Sequence, residues 1–584
     1  MEDINLFDIK KCWGNFVFDY AFSESNGFSG GILCIWNPTV FNKYSTTVSD
    51  YFIIVRGKWI SNGKLLLIIS VYAPQEALEK KMLWDYLNHI IISWKGEVIL
   101  MGDFNEVRYK NERYGSVFNV QGAKVFNSFI ANSNLVEVPL GGCSYTWCHG
   151  SASKMSKLDR FLMSERLLRE SPSISAITLD RFLSDHRPIL LRETNHDYGH
   201  IPFRLFHYWF DMEGFDKLVH DAWGEVPIFS SNAMFNLMQK LKFTKNKIRT
   251  WNRTRQSITN RKRALQKELG KLDMIIDNGK ATEENLLHRM EVCNSIQELD
   301  KLHNMEVAQK AKVKWAVEGD ENSKFYHGIL NKKRHQLAIR GVMKDGVWED
   351  KPDVVKKEFV NHFKARFEQP SHERPIINME FPNQLNSFQV ADLEAEVSIE
   401  EIKKAVWDCG TNKAPGPDGF TFGFYKRYWG LIESDVVAAV KYFFQTGTFY
   451  KGCNSSFISL IPKIPDAKLV KDFRPISLIG SLYKIITKIL ANRIMLVLGN
   501  LVNEVQSAFM ADRQILDGPF ILNEVYQWCK DKKKQSFILK VDFEKAYDSV
   551  RWDYLHDVLR KFGFRDRWCR WIYVVLQNSR GSLL

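Results

Sequence analysis

The chain has 584 residues, 45% of them hydrophobic, and 81 Lys and Arg against 68 Asp and Glu, a formal charge of +13. That length and apolar content exclude a disordered chain and predict two or three packed domains. The basic excess favours a polyanionic partner, nucleic acid first.

No apolar run reaches the ~18–20 residues that a membrane helix needs. The acidic start, MEDINLFDIKK, has no apolar core of the signal-peptide kind, so a nuclear or cytoplasmic protein, not a secreted one, is expected. The nine cysteines are scattered and form no CxxC. Cys143, Cys148 and His149 are close in sequence but lack the second half of a zinc site. They are expected to be buried as small hydrophobes in a reducing compartment.

In the first third, short apolar runs alternate with turns. Residues 30–36, 51–55, 65–71 and 98–101 are strand candidates, with one helical stretch at 83–92, which together predict a packed α/β sandwich. Polar residues follow the strands. Tyr72 ends the run 65–71 in VYAP, and Asp103 and Asn105 end 98–101 in GDFN. Asp159 lies in KLDRF, after the aromatic run Tyr145-Thr146-Trp147. Asp185 and His186 lie in LSDHRPIL, ahead of a strand candidate at 189–191. Such groups can converge on a phosphate, where one activates water, others donate to phosphoryl oxygens, and carboxylates hold a divalent ion. Taken singly, each also reads as an ordinary turn or capped loop.

In this order the four segments resemble the endonuclease/exonuclease/phosphatase superfamily, in the AP-endonuclease-like form found in LINE elements. The resemblance implies a four-layered α/β sandwich over residues 1–195, truncated at its start. It implies that Tyr72 contacts the phosphate and that Asp103 activates the attacking water with support from Asn105. Asp159 would orient His186, His186 would contact the phosphate, and Asp185 would assist the metal. It also implies a first strand carrying an Asn and a metal-binding Glu in a Gln-Glu-Thr-like segment. Glu2, Asp3 and Asp8 do not fit that pattern, so weak or absent nicking is expected of the sequence as it stands.

Residues 196–385 read as a basic helical connector. No proline occurs between Pro227 and Pro352, and apolar residues recur at Leu237, Leu241, Ile248, Trp251, Ile258, Leu265, Leu269, Leu272 and Ile276. Gaps of three, four and seven are the signature of packed helices. A break at Asp277-Asn278-Gly279, and a second helical stretch over about 283–317, predict an antiparallel hairpin. Lys240, Arg249, Arg253, Arg255, Arg261, Lys262 and Arg263 give the first helix a strong positive charge. They are candidates for contacting nucleic-acid backbone, with a solvated helix face as the plain alternative. Residues 311–334 resemble the segment that leads into the polymerase in plant LINE proteins.

Residues 386–584 open with an amphipathic helix at 397–407, with Ser398 as N-cap and Glu401 expected to complete a capping box. KAPGPDGF, residues 413–420, is a rigid turn with two prolines and two glycines. Strand candidates at 457–463 and 472–478 form a hairpin whose Lys463 and Arg474 could meet a triphosphate. A helix is expected at 483–498. An apolar strand at 537–541 is expected to deliver Asp542 to its end, with Asp548 at a helix start six residues on. These motifs resemble the reverse transcriptases of LINE-type, non-LTR retrotransposons, and imply a partial right-hand polymerase: fingers and the first palm motif. On that resemblance Asp542 is a catalytic metal ligand and Tyr547 packs under the incoming sugar. The family's later Asp-Asp pair has no counterpart, because the sequence contains no Asp-Asp dipeptide.

The whole resembles a plant LINE-type polyprotein, truncated at both ends. The ancestral activities implied are DNA nicking and RNA-directed DNA synthesis, with Mg²⁺ or Mn²⁺ as cofactor and DNA and RNA as partners, no membrane being involved. Catalysis is expected to be incomplete at both sites. Two alternatives remain open on the residues: a nucleic-acid-binding remnant without catalysis, and a phosphoesterase acting on a small substrate.

Overall fold

The computed structural model describes residues 4–583 apart from 27–28, 172, 195–196, 229, 255–257, 312–336, 369–372, 465, 511, 544–549 and 578–579. The chain divides into two compact units. The first comprises Met1–Gly199, Asn331–His362 and Ile461–Arg474; the second comprises His200–Leu330, Phe363–Leu460 and Pro475–Leu584.

In the first unit, β1 (Asp19–Asn26) pairs antiparallel with β2 (Ser29–Trp36). β3 (Phe41–Ser49), β4 (Phe52–Trp59), β5 (Leu65–Tyr72), β6 (Glu97–Asp103), β7 (Leu135–Glu137) and β8 (Asp159–Ser164) form a six-stranded sheet in the order β3-β4-β5-β6-β8-β7. β5 and β6 are parallel, joined by the helix α1 (Ala77–Ser93). A second sheet pairs β9 (Ile174–Thr178) with β10 (Ile189–Glu193). All the strands expected in this third of the chain are present, and α1 extends beyond the predicted 83–92.

The two-residue period of the strands sorts their side chains between two cores. Phe52, Ile54, Leu67, Ile69 and Leu162 pack against Leu83, Trp84 and Leu87 of α1 and against Phe126 and Phe129 of α2 (Val120–Asn132). The alternating set, Ile53, Val55, Leu66, Phe161 and Met163, faces Ile32, Leu140 and Ala176. Helices thus cover one face of the large sheet and β-structure covers the other.

The same alternation separates Asp159 from Arg160 on β8. Arg160, wholly buried, donates through Nη2 to Glu112 Oε2 at 2.7 Å and through Nη1 to Glu137 Oε1 at 2.8 Å. Burial by itself would raise the Glu137 carboxyl pKa; Arg160, Lys157 and Arg108 together hold it well below the usual carboxylate range.

In the second unit, α3 (Ala233–Thr254) buries Leu237, Leu241 and Ile248. α4 (Ile258–Asp277) and α5 (Glu283–Ala311) form the expected antiparallel hairpin, cross-linked by the pairs Lys262–Asp300, Glu268–His288 and Asp273–Arg289. α6 (Ile399–Asp408) has Ser398 as its N-cap, accepting from Glu401 N at 3.1 Å. The capping box does not form, because the Glu401 carboxylate is taken by Arg493, whose Nε and Nη2 each donate to it at 2.7 Å. A bidentate guanidinium is the stronger partner for a carboxylate than a backbone amide.

The strands β11 (Ser455–Pro462) and β12 (Phe473–Ile479) are neighbours in one small sheet, as the hairpin reading requires. The turn 413–420 packs at the start of α8, which follows α7 (Trp429–Thr446) and spans Ser481–Leu501. Asp418 Oδ2 accepts from Ser481 N at 2.6 Å, capping that helix from outside its own sequence. A Cβ on Gly416 would come within 2.3 Å of Ile479 O, so this glycine is there for close approach.

One predicted element is absent. Residues 537–541 form no strand, and Phe537, Leu539 and Phe543 are exposed. A strand exists only by pairing, and among the described residues nothing pairs with this run. Asp542 is therefore exposed and outside any element. Tyr547, Asp548, Arg255 and most of the segment 311–334 lie outside the described residues.

Candidate active site

Three strands bring the first candidates side by side. Tyr72 is opposite Asp103 across the parallel pair β5 and β6. Asp103 is opposite Asp159 across the antiparallel pair β6 and β8. Directly opposed residues share a sheet face, so a phenol and two carboxylates line one end of the sheet. His186 comes from the loop before β10, anchored by an isolated bridge to Trp147. Its Nδ1 is 2.9 Å from Asp159 Oδ2, and its Nε2 is 3.9 Å from Asp103 Oδ2. An ionised Asp159 only accepts, so Nδ1 carries the proton and Nε2 faces Asp103.

Local backbone geometry explains the GDFN motif. Gly102 has φ 125°, and a Cβ there would come within 2.0 Å of Val71 O, so only glycine fits between β5 and β6. Asn105 has φ 47°, left-handed for a residue with a side chain, a conformation that costs about 1–3 kcal/mol and persists only where its surroundings enforce it. Here its N–H donates to Asp103 Oδ1 at 2.9 Å and its Nδ2 to Ala73 O at 2.7 Å.

Asp185 is exposed, and its Oδ2 accepts from Trp147 Nε1 at 2.7 Å. Cys148 N donates to Asp185 O, and Arg187 N donates to Thr146 O, stitching the SDHR loop to the YTW segment. Thr146, wholly buried, accepts from Leu158 N at 2.9 Å and Asp159 N at 3.0 Å. Sequence reasoning noted the aromatic run but missed the supporting roles of Thr146 and Trp147; YTW shortly before KLDRF was the available signal. Lys80 on α1, which also reaches this turn, was missed, since beside Lys81 it reads as an ordinary solvated charge on an amphipathic helix. Cys148 is buried as expected, but Cys143 is half-buried and His149 is exposed, because they lie at the ends of a surface loop segment rather than in a core.

The electrostatics follow from this crowding. Burial, and then the charge of Asp159, push the Asp103 carboxyl up to about 6, against the opposing pull of Asn105 N–H, His186 and Lys80. Burial works to lower the His186 pKa, but the Asp159 hydrogen bond and the charges of Asp159, Asp103 and Asp185 together raise it. Burial and then Asp103 and Asp185 raise Tyr72, which keeps the phenol protonated as a donor. Burial would raise Asp185, but Trp147 and His186 leave it below its ordinary value.

Among the described residues no three His, Cys, Asp or Glu side chains are placed to hold a metal ion by themselves. A hard divalent cation that keeps several waters and takes one or two carboxylates plus substrate phosphate still fits this surplus of negative charge. Asp185, exposed and with its carboxyl held below its ordinary pKa, could receive it.

The remaining candidates are dispersed. Lys463 Nζ donates to Lys471 O at 2.6 Å, within its own hairpin tip, and Arg474 is exposed on β12. Among the described residues no hydrogen bond or ion pair joins Lys463 to Arg474. In the connector, Lys240 is paired with Asp435 at 2.7 Å and Lys262 with Asp300. Arg249 lies over the Phe203 ring. Arg253, Arg261 and Arg263 are exposed.

Two family models match the chain. The one described as Endonuclease-reverse transcriptase covers residues 66–190, and the one described as Reverse transcriptase (RNA-dependent DNA polymerase) covers residues 461–583. The chain therefore carries an endonuclease/exonuclease/phosphatase-like α/β domain, a helical region and a reverse transcriptase domain, and it is homologous to non-LTR retrotransposon proteins. It is 24% identical over 528 residues to the Transposon TX1 uncharacterized 149 kDa protein of Xenopus laevis, covering 86% of this chain and 40% of that protein. It is 27% identical over 201 residues to the Retrovirus-related Pol polyprotein from type-1 retrotransposable element R2 of Nasonia vitripennis, covering 33% of this chain and 18% of that protein. The chain thus spans less than half the length of either relative. Among solved structures, the endonuclease domain of TRAS1, a telomere-specific non-LTR retrotransposon, is 14% identical with a TM-score of 0.24, over 31% of this chain and 81% of that one. The AP endonuclease LMAP from Leishmania major is 12% identical with a TM-score of 0.25, over 30% and 71%.

Among the described residues no helix is long and apolar enough to cross a membrane.

Proposed function

We propose that this chain is the DNA-nicking and RNA-copying portion of a LINE-type retrotransposon protein, organised as a nuclease over residues 1–195, a connector over 196–385 and polymerase fingers with the first palm motif over 386–584. Its assignment to the plant branch rests on the sequence of residues 311–334. The observation that carries the nuclease reading is the Asp159–His186–Asp103 arrangement beside Tyr72.

In this reading the substrate is a DNA phosphodiester. Above its raised pKa, Asp103 accepts the proton of a water attacking phosphorus. The P–O3′ bond breaks, and the leaving O3′ takes a proton from solvent water, so the products are a 5′ phosphate and a 3′ hydroxyl from which copying can begin. His186, held by Asp159 and donating from Nε2 in its protonated form, and the Tyr72 hydroxyl donate to the phosphoryl oxygens. Asn105 fixes the Asp103 carboxylate through its N–H. A divalent cation, Mg²⁺ or Mn²⁺, would be held by Asp185, water and the phosphate, and when bound supplies Lewis-acid polarisation of a phosphoryl oxygen. Held by a single protein carboxylate, with water and the phosphate as its other ligands, the cation should bind weakly and nicking should be slow. In the polymerase half, Asp542 is the proposed metal carboxylate, Lys463 and Arg474 are the proposed triphosphate contacts, and Tyr547 is the proposed neighbour of the incoming sugar.

The test compares supercoiled plasmid with a small phosphomonoester as substrates for the purified full chain at millimolar Mg²⁺. Relaxed circles from the plasmid, reduced in His186→Ala, support the proposal. Release of phosphate from the small ester with the plasmid intact refutes it and favours a phosphoesterase.

A further inference from the structure

Lys80 takes no part in the scheme above, yet it reaches the same turn. It projects from α1, and its Nζ donates to Asn105 O at 2.7 Å and lies 3.2 Å from Glu106 Oε2. Both side chains are nearly buried, at 12% and 6% exposure. Space for the Glu106 carboxylate comes from Gly122 on α2, where a Cβ would lie 2.6 Å from Oε2. The two helices that cover the sheet therefore both meet the residues just after Asp103.

We propose that Lys80 is a positioning residue for phosphodiester cleavage, locking Asn105 in its left-handed conformation by gripping its carbonyl oxygen. This rests on the nuclease reading. Asn105 has three polar groups at this turn, and each has a separate anchor: N–H on Asp103, side-chain amide on Ala73 O, and carbonyl on Lys80. The first two anchors lie on the strand ends that form the site. Lys80 is the one of the three that reaches Asn105 from the helical layer, where the neighbouring Phe104 packs on Trp84 and Phe126, and Glu106 holds the ammonium in place. Asn adopts positive φ more readily than most side chains, but without the third anchor the turn is free to relax toward negative φ. Relaxation swings the Asn105 N–H off Asp103 Oδ1 and lets the carboxylate that takes the water's proton rotate.

The test uses the full chain and two readouts. In plasmid nicking, Lys80→Met should lower kcat about 100-fold, as a misplacement of about 1 Å does, with KM for plasmid nearly unchanged. Lys80→Arg, which can still donate to a carbonyl, should recover most of that loss. Because Lys80→Met strands the buried Glu106 charge, the double variant Lys80→Met/Glu106→Gln removes that charge and keeps the fold. Its nicking should stay low, since Asn105 O still lacks its donor. In peptide-resolved hydrogen exchange, the amides after Asp103 should exchange faster in Lys80→Met and in the double variant, but not in Lys80→Arg or His186→Ala. Full activity in the double variant, or unchanged exchange in Lys80→Met, overturns the proposal. A wild-type chain that nicks nothing, while Lys80→Met still speeds exchange, overturns the nuclease reading and the catalytic role of Lys80 with it.

Discussion

Replacing Arg160 with Met should unfold the first unit far more readily than removing any surface charge. The substitution keeps most of the volume but deletes the guanidinium that meets Glu112 and Glu137 at 2.7 and 2.8 Å, from a position with no solvent exposure. Glu137 keeps Lys157 at 2.8 Å and Arg108 at 2.7 Å, whereas the nearly buried Glu112 is left with Lys157 at 4.0 Å and the backbone N–H of Arg108. Breaking a buried ion pair in this way costs about 3–5 kcal/mol. For a unit of this size each kcal/mol moves Tm by roughly 2–4 °C, so a fall of roughly 6–20 °C is expected. Thermal unfolding followed by near-ultraviolet circular dichroism measures it. Adding Glu112→Gln to Arg160→Met should then cost little, or restore stability, whereas Glu112→Gln alone should be destabilising. The sign with pH is fixed as well. Glu137 is held low in the folded state, so its contribution is fully present above its unfolded pKa of about 4.5 and is lost as pH falls further toward the folded value. The gap between wild type and Arg160→Met should therefore narrow in acid. A loss under about 1 kcal/mol near neutrality, the scale of a solvated pair, would refute the reasoning.

Other perturbations have equally definite outcomes. The rate of phosphodiester cleavage should rise through pH 6 as Asp103 ionises, and Asp159→Asn, which removes the neighbouring charge, should move that limb to lower pH while depressing the plateau; a pH-independent rate between 5 and 7 argues against Asp103 as the base. Replacing Arg253, Arg255, Arg261 and Arg263 together should flatten the salt dependence of duplex binding by up to about 0.9 in log K per log salt for each phosphate no longer neutralised, and identical slopes would mean a solvated helix face. Gly416→Ala should destabilise the second unit by roughly 1–3 kcal/mol, because the new methyl meets the backbone of Ile479 rather than a movable side chain; an unchanged denaturant midpoint would contradict this.

Much of the nuclease-like fold is legible in the sequence because its strands are apolar runs that end in polar residues. The period-two alternation between Ile53 and Ile54 already assigns the two cores, and strand ends are where chemistry gathers. Which groups would support that cluster was not legible. Thr146, Trp147 and Lys80 act through backbone carbonyls, amides and one indole N–H, and such partners leave no composition signal. Glu401 shows the opposite failure. A local rule, the capping box, was satisfied on paper, but Arg493, far along the chain, offered two hydrogen bonds where the helix end offered one. The strand expected at 537–541 failed for a third reason: apolarity predicts a wish to be buried, but a strand also needs an edge to pair with. The connector's cations show the limit of charge counting. Lys240 and Lys262 are spoken for by Asp435 and Asp300, which no local window of sequence contains.

The most direct measurement of the proposed activity is single-turnover nicking of a supercoiled plasmid by the purified full chain, titrated with Mg²⁺, for wild type, Asp103→Asn and His186→Ala. Wild type should nick slowly, need the cation and saturate only at high Mg²⁺, and the rate should fall about 100-fold or more when either side chain is replaced. Nicking that persists undiminished in both variants, or a wild type that leaves the plasmid intact at every Mg²⁺ concentration, would contradict the assignment of this site.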